Sequence, residues 1–141
     1  DQDEVRHAQL LRRGMISLEN FTDALTQFVE LARVHGFVPI VSYSPSAYAA
    51  FADFVKFEDL ALSDLMPWYS STQREFLRSK AEELGYVFVD ITPQLQAAAR
   101  VLQDKTLLYY PSNVHFTEAG NRVEAEVLAP VITGRTRETA H

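Results

Sequence analysis

Apolar residues recur along this chain in two alternating rhythms. From Leu18 to His35 the residues Phe21, Leu25, Phe28, Leu31 and Ala32 return at three- and four-residue spacing. That predicts an amphipathic helix closed by Gly36. The next run, Phe37-Val38-Pro39-Ile40-Val41-Ser42-Tyr43, is apolar without that spacing and predicts a buried strand. Pro39 belongs near its start, because proline has no N–H for a ladder. The couplet then repeats. Ser70 and Gln73 stand at capping-box spacing, so a helix is expected from Ser70 to Leu84, stopped by Gly85 and followed by a strand at Tyr86 to Asp90. Thr92-Pro93 opens a helix to about Leu102, and Thr106-Leu107-Leu108-Tyr109-Tyr110 reads as a third, short strand. After a loop from Pro111 to Phe116, Thr117 caps a last helix that runs to about Ile132. Outside these couplets, Asp3 to Arg13 predicts a short helix stopped by Gly14, and Ser44-Pro45-Ser46 caps another over Ala47 to Phe57. Pro67 is expected to interrupt any helix between Glu58 and Tyr69.

Helices alternating with strands through long crossovers imply a parallel sheet covered by helices, an α/β fold with three α/β/α layers. Residues 1–133 are expected to form a single α/β domain and residues 134–141 a frayed polar tail. Three strands are few for so many helices, which predicts further strands before residue 1. The strand at Val38 to Tyr43, apolar on both faces, should not stand as a bare edge. Another segment or a second copy, by self-association, is expected to cover it.

Composition narrows the classes of function. The 141 residues are 47% hydrophobic and 23% charged, ordinary values for a globular domain. A net charge of −6 with no basic patch argues against a nucleic-acid partner. There is no cysteine, which excludes disulfides, thiol nucleophiles and thiolate metal sites. No apolar run approaches the roughly 20 residues of a membrane helix. The carboxylates Asp23, Glu30, Asp53, Glu58 and Asp59 lack metal-ligand spacing, and the five glycines form no phosphate loop. No metal or organic cofactor is called for.

That leaves hydroxyl nucleophiles and four histidines. His7 lies on a charged segment, His35 suits a helix C-terminus, and His141 is terminal, all surface positions. His115 is different. It follows the third predicted strand and precedes a helix cap, at the carboxyl end of the expected sheet, where reacting groups gather in open α/β folds. A loop histidine bonded to a backbone carbonyl would fit the same position. Ser42, Ser44 and Ser46 lie at a strand end but lack a nucleophile-elbow pattern, and turn or capping roles suit them better. Asp90 and Asp104 are a strand-end and a loop carboxylate. Trp68, Tyr69, Tyr43 and Tyr48 could line a carbohydrate edge or simply pack.

The run from Leu107 to Asn121 resembles the last block of SGNH (GDSL) hydrolases, in which a strand and loop lead to a histidine, an aromatic or aliphatic residue, Thr or Asn, and then Gly. His115-Phe116-Thr117 with Gly120 carries the match. Two upstream pieces fit the same order. Leu31 to Val41 before Ser44-Pro45-Ser46 is similar to the family's helix and strand before a proline loop. Ala81 to Thr92 is similar to its strand ending in Asp-Leu-Thr. The resemblance covers about residues 18 to 132. It implies a flavodoxin-like SGNH-hydrolase fold lacking its first strands in this chain, and an ester hydrolase or O-acyltransferase portion acting on acyl, above all acetyl, esters of carbohydrates or small alcohols. His115 would be general base, with the nucleophilic serine outside this chain. An extracytoplasmic or membrane-tethered location is suggested on the same ground.

Two departures stand against that pattern. No Gly-Asp-Ser block or Gly-x-Asn-Asp motif occurs, and Asn113 and Ser112 occupy the positions two and three before His115 where the family has Asp. Asparagine can orient an imidazole but offers it no negative charge. Ser112 could orient it only through its hydroxyl or carbonyl. A non-catalytic module of the same fold, binding a glycan or a protein partner, is the alternative.

Overall fold

The structure, a computed structural model, describes residues 2–102, 107–111 and 114–134. It is an α/β arrangement that divides into two compact units, residues 1–43 with 56–90 and residues 44–55 with 91–141. Among the described residues no helix is long and apolar enough to cross a membrane.

The first unit holds helix α1 (Gln2–Arg12), a 3-10 turn (Leu18–Phe21), α2 (Thr22–His35), strand β1 (Ile40–Tyr43), α4 (Leu60–Leu84) and β2 (Val87–Asp90). Ser17 caps the 3-10 turn through the Glu19 N–H, so the helix expected from Leu18 divides at Thr22. Gly36 ends α2 at φ 71°, a left-handed conformation that glycine adopts without a Cβ penalty. The strands pair in parallel, Ile40 with Val87 through Tyr43 with Asp90, and Val87 N–H reaches back to the Pro39 carbonyl at 2.9 Å. Proline's missing donor thus lies just ahead of β1, and its acceptor is used. Ala8, Ala32, Leu65, Met66, Tyr86 and Val89 are the buried apolar residues of this unit.

Two expectations are corrected in α4. The helix begins at the Asp59 cap, whose carboxylate accepts the Ala61 N–H at 2.8 Å, and runs unbroken through Pro67. Buried Leu65 and Met66 precede the proline and Arg12 covers the Trp68 ring after it, so packing outweighs the local proline cost. Ser70 therefore caps nothing. It is buried in mid-helix, and with Gln73, one turn on, it faces the Tyr43 hydroxyl, at 3.3 Å from Ser70 Oγ and 3.0 Å from Gln73 Oε1.

The second unit holds α3 (Ala47–Ala50), α5 (Thr92–Leu102) and α6 (Glu118–Ile132). The helix expected over Ala47 to Phe57 is one turn long, with turns following it. Gln96 Nε2 donates to the Ala49 carbonyl at 2.9 Å and Arg100 pairs with Asp53 at 2.5 Å, tying this segment to α5. The third strand is also corrected. Leu107 to Tyr110 does not join the parallel sheet; Tyr109 forms a single antiparallel bridge with Phe116. Thr106, and the tail at 135–141, lie outside the described residues. Ile91, Leu95 and Leu108 are fully buried here.

Candidate functional site

His115 sits beside a single antiparallel bridge, on a backbone held by two hydrogen bonds to the facing arm. The Tyr110 N–H donates to the His115 carbonyl at 3.0 Å, and the Thr117 N–H donates to the Leu108 carbonyl at 2.9 Å. These two bonds flank the Tyr109–Phe116 bridge, so these opposed residues form a close, non-hydrogen-bonded pair and their rings meet at 4.7 Å. Tyr109 is buried, donates its hydroxyl to the Pro45 carbonyl at 2.5 Å, and meets Phe51 edge-on at 6.1 Å.

The arm passes directly into α6. Thr117 caps that helix by accepting the Gly120 N–H at 3.4 Å, and its hydroxyl donates to the Leu107 carbonyl at 2.5 Å. Gly120 is buried. A Cβ there would lie 2.3 Å from the Leu108 carbonyl oxygen and 2.9 Å from Phe116 Cδ1. Close approach of the Leu108 arm to the first turn of α6 therefore requires glycine. The His-aromatic-Thr-x-x-Gly spacing has a physical reason: cap, ring and bare backbone lock the two arms, while the imidazole of His115 stays exposed.

Asn113 and Ser112 lie outside the described residues, so the structure places only His115 of the three predicted site positions. Ser42 is exposed on β1, Ser44 donates to Glu124 Oε1 at 2.8 Å, and Ser46 stands at the N-cap of α3 without a side-chain capping bond. Through Tyr109 the Ser44-Pro45-Ser46 turn is tied to the buried side of the bridge.

Asp90, at the end of β2, is held by Arg74 Nε at 2.8 Å, with Arg78 at 3.8 Å. Asp104 lies outside the described residues. Of the aromatics, Tyr43 is engaged with α4, and burial pushes its phenol pKa above the usual value, with the Ser70 hydrogen bond opposing. Burial raises Tyr69 likewise. Trp68 lies under Arg12, 5.2 Å from guanidinium to ring centroid. His7 and His35 are exposed. The residues that sequence reading missed are Tyr109, which anchors its arm through the Pro45 carbonyl, and Glu124, which accepts from Ser44.

Comparison with protein-family models, with curated proteins and with solved structures finds no match to this chain.

Proposed function

We propose that this chain is a portion of an SGNH-like ester hydrolase or O-acyltransferase in which His115 is the general base. The observation that carries the reading is an exposed imidazole on a backbone held at its own carbonyl by the Tyr110 N–H and, two residues on, at the Thr117 N–H that opens the capped helix. A general base must be presented within about 2.6–3.2 Å of the proton it takes, and a fixed arm does that at little entropic cost.

In this reading a serine from a segment outside the 141 residues attacks the acyl carbon while His115 takes its proton. His115 then returns the proton to the leaving alcohol, and water or an acceptor hydroxyl discharges the acyl-enzyme. Asn113 would hold the ring in one tautomer without the charge of an Asp; in the serine-protease template that change costs about 10⁴ in turnover. Ser112 would assist only through its hydroxyl or carbonyl. The substrates are acetyl or related esters of carbohydrates, and no metal or organic cofactor is needed. The fold would be the three-layer, flavodoxin-like one, with the serine-bearing strand or a second copy along the free edge of β1. An extracytoplasmic location goes with the same reading. Asn113, where the family pattern has Asp, favours a second reading, a non-catalytic module of that fold that binds a glycan or protein.

The deciding measurement is hydrolysis of 4-nitrophenyl acetate by the full-length protein and its His115→Ala variant. A loss of at least about 10³-fold is expected. Unchanged turnover would remove the catalytic reading and leave the binding module.

A further inference from the structure

Helix α2 is apolar around more of its circumference than it buries. Leu25, Phe28, Val29 and Ala32 are its buried or half-buried side, and the helix packs on α4. Asp23, Thr26, Glu30 and Arg33 make up a polar side, where Glu30 and Arg33 pair with each other at 2.6 Å. Between the two runs a third stripe, Ala24, Gln27, Leu31 and Val34, roughly a third of a turn from the buried side. All four residues are exposed, Leu31 by 52% and Val34 by 63%. A helix that needs only one covered side is polar elsewhere. Here the exposed stripe is spaced three, four, three, which is the spacing of a seam between two helices.

We propose that this stripe is a seam between two copies of the chain, with α2 of one running antiparallel to α2 of the other. Charge selects the occupant and the direction. Asp23 stands in the first turn of α2, and Arg33 and His35 stand in the last. Antiparallel pairing brings each acidic first turn level with the partner's basic last turn and opposes the two helix dipoles; parallel pairing stacks like on like. Shape selects the register. Full overlap of the 14 residues of α2 sets Ala24 opposite the partner's Val34, and Gln27 opposite the partner's Leu31. Small then faces large in the outer layers, which lets the helix axes approach. Size sets the strength. A seam about 21 Å long falls short of the roughly 800 Å² per partner of a standard interface, so the dimer is reversible, with a Kd of about 10–100 μM. It uses side chains of a helix, and is separate from any pairing along the backbone edge of β1.

The test is sedimentation equilibrium of the 141-residue chain, followed by thiol cross-linking. A monomer–dimer equilibrium is expected below about 1 mM, and Leu31→Gln combined with Val34→Gln should weaken it about tenfold or more. Both side chains are already exposed, so the far-ultraviolet circular dichroism and the melting temperature of that variant should match the parent's. The sequence has no cysteine, so single thiols report without background. An oxidised mixture of Ala24→Cys and Val34→Cys chains should give a disulfide-linked dimer. Ala24→Cys alone should not, because antiparallel pairing holds the two 24 positions about 15 Å apart along the axis, beyond the roughly 7 Å span of a disulfide. A chain that stays monomeric to about 1 mM overturns the seam. So does a dimer that Leu31→Gln with Val34→Gln leaves unchanged, which would move the contact to another surface, the β1 edge included. Ready cross-linking of Ala24→Cys to itself would overturn the antiparallel arrangement.

Discussion

At Gly120 the absence of a side chain is a requirement of packing. Any Cβ would meet the Leu108 carbonyl oxygen at 2.3 Å, and backbone cannot swing aside as a flexible side chain can. Gly120→Ala should therefore destabilise by about 1–3 kcal/mol in urea unfolding, although alanine is the better helix former. An unchanged or raised midpoint would mean that the Leu108 arm and α6 are not in close contact. Tyr43 gives a second residue-scale expectation. Burial holds its phenol neutral at a pH where the unfolded chain has already lost the proton. Its contribution is therefore complete below about pH 10 and is lost as pH rises through the higher folded value. Tyr69 and Tyr86, both raised by burial, act in the same direction. Tyr43→Phe should cost about 1 kcal/mol near neutrality, where the bonds to α4 are lost, and should flatten the alkaline fall in melting temperature. An alkaline fall as steep as in the parent protein would count against a shifted Tyr43.

Pro67 shows how far an element can be read from its own residues. Proline removes a donor and crowds the preceding turn, so the sequence predicts a break; α4 nevertheless continues through it. If packing alone keeps the helix continuous, Pro67→Ala should raise stability by about 1–3 kcal/mol while leaving helix content unchanged. A loss of stability would show that the proline is itself part of the packing. The elements legible in the sequence were those whose signals are local. Gly36 and Gly85 end α2 and α4, Thr117 caps α6, and the apolar runs at Ile40–Tyr43 and Val87–Asp90 are strands. Leu107 to Tyr110 has the same apolar character, but its partner is Phe116, a few residues on, instead of a distant strand. Periodicity cannot tell those pairings apart. Ser70 misled for the same reason, since a capping-box spacing is also the spacing of two residues on one helix face. The local frame around His115 was legible, because Phe116, Thr117 and Gly120 lie close to it in sequence. The Tyr109 bond to Pro45, 64 residues away, was not.

At the scale of the whole chain, the division into units falls after Tyr43 and again after Asp90, at the carboxyl ends of β1 and β2. The segments that follow those strands in the chain make up the unit that bears His115. If His115 is a base, it works only with a nucleophile and an oxyanion hole beside it. Within the described residues, Ser44 is occupied by Glu124, and the sequence around Ser42, Ser44 and Ser46 has no nucleophile elbow. Losing even one oxyanion donor typically costs about 10²–10³ in rate. The 141-residue chain alone is therefore expected to show no acyl-enzyme burst and little turnover on activated acetyl esters. In a full-length enzyme Asn113→Asp should raise the rate or leave it unchanged, because an added carboxylate can only favour the imidazolium that forms as the serine gives up its proton. The measurement is acetyl-ester hydrolysis by the 141-residue chain, the full-length protein and the Asn113→Asp variant under one set of conditions. A burst from the short chain that vanishes on replacing Ser42, Ser44 or Ser46 would move the nucleophile into this sequence. A large loss in Asn113→Asp would show that His115 works with a neutral partner, and that the departure from the family pattern belongs to the mechanism.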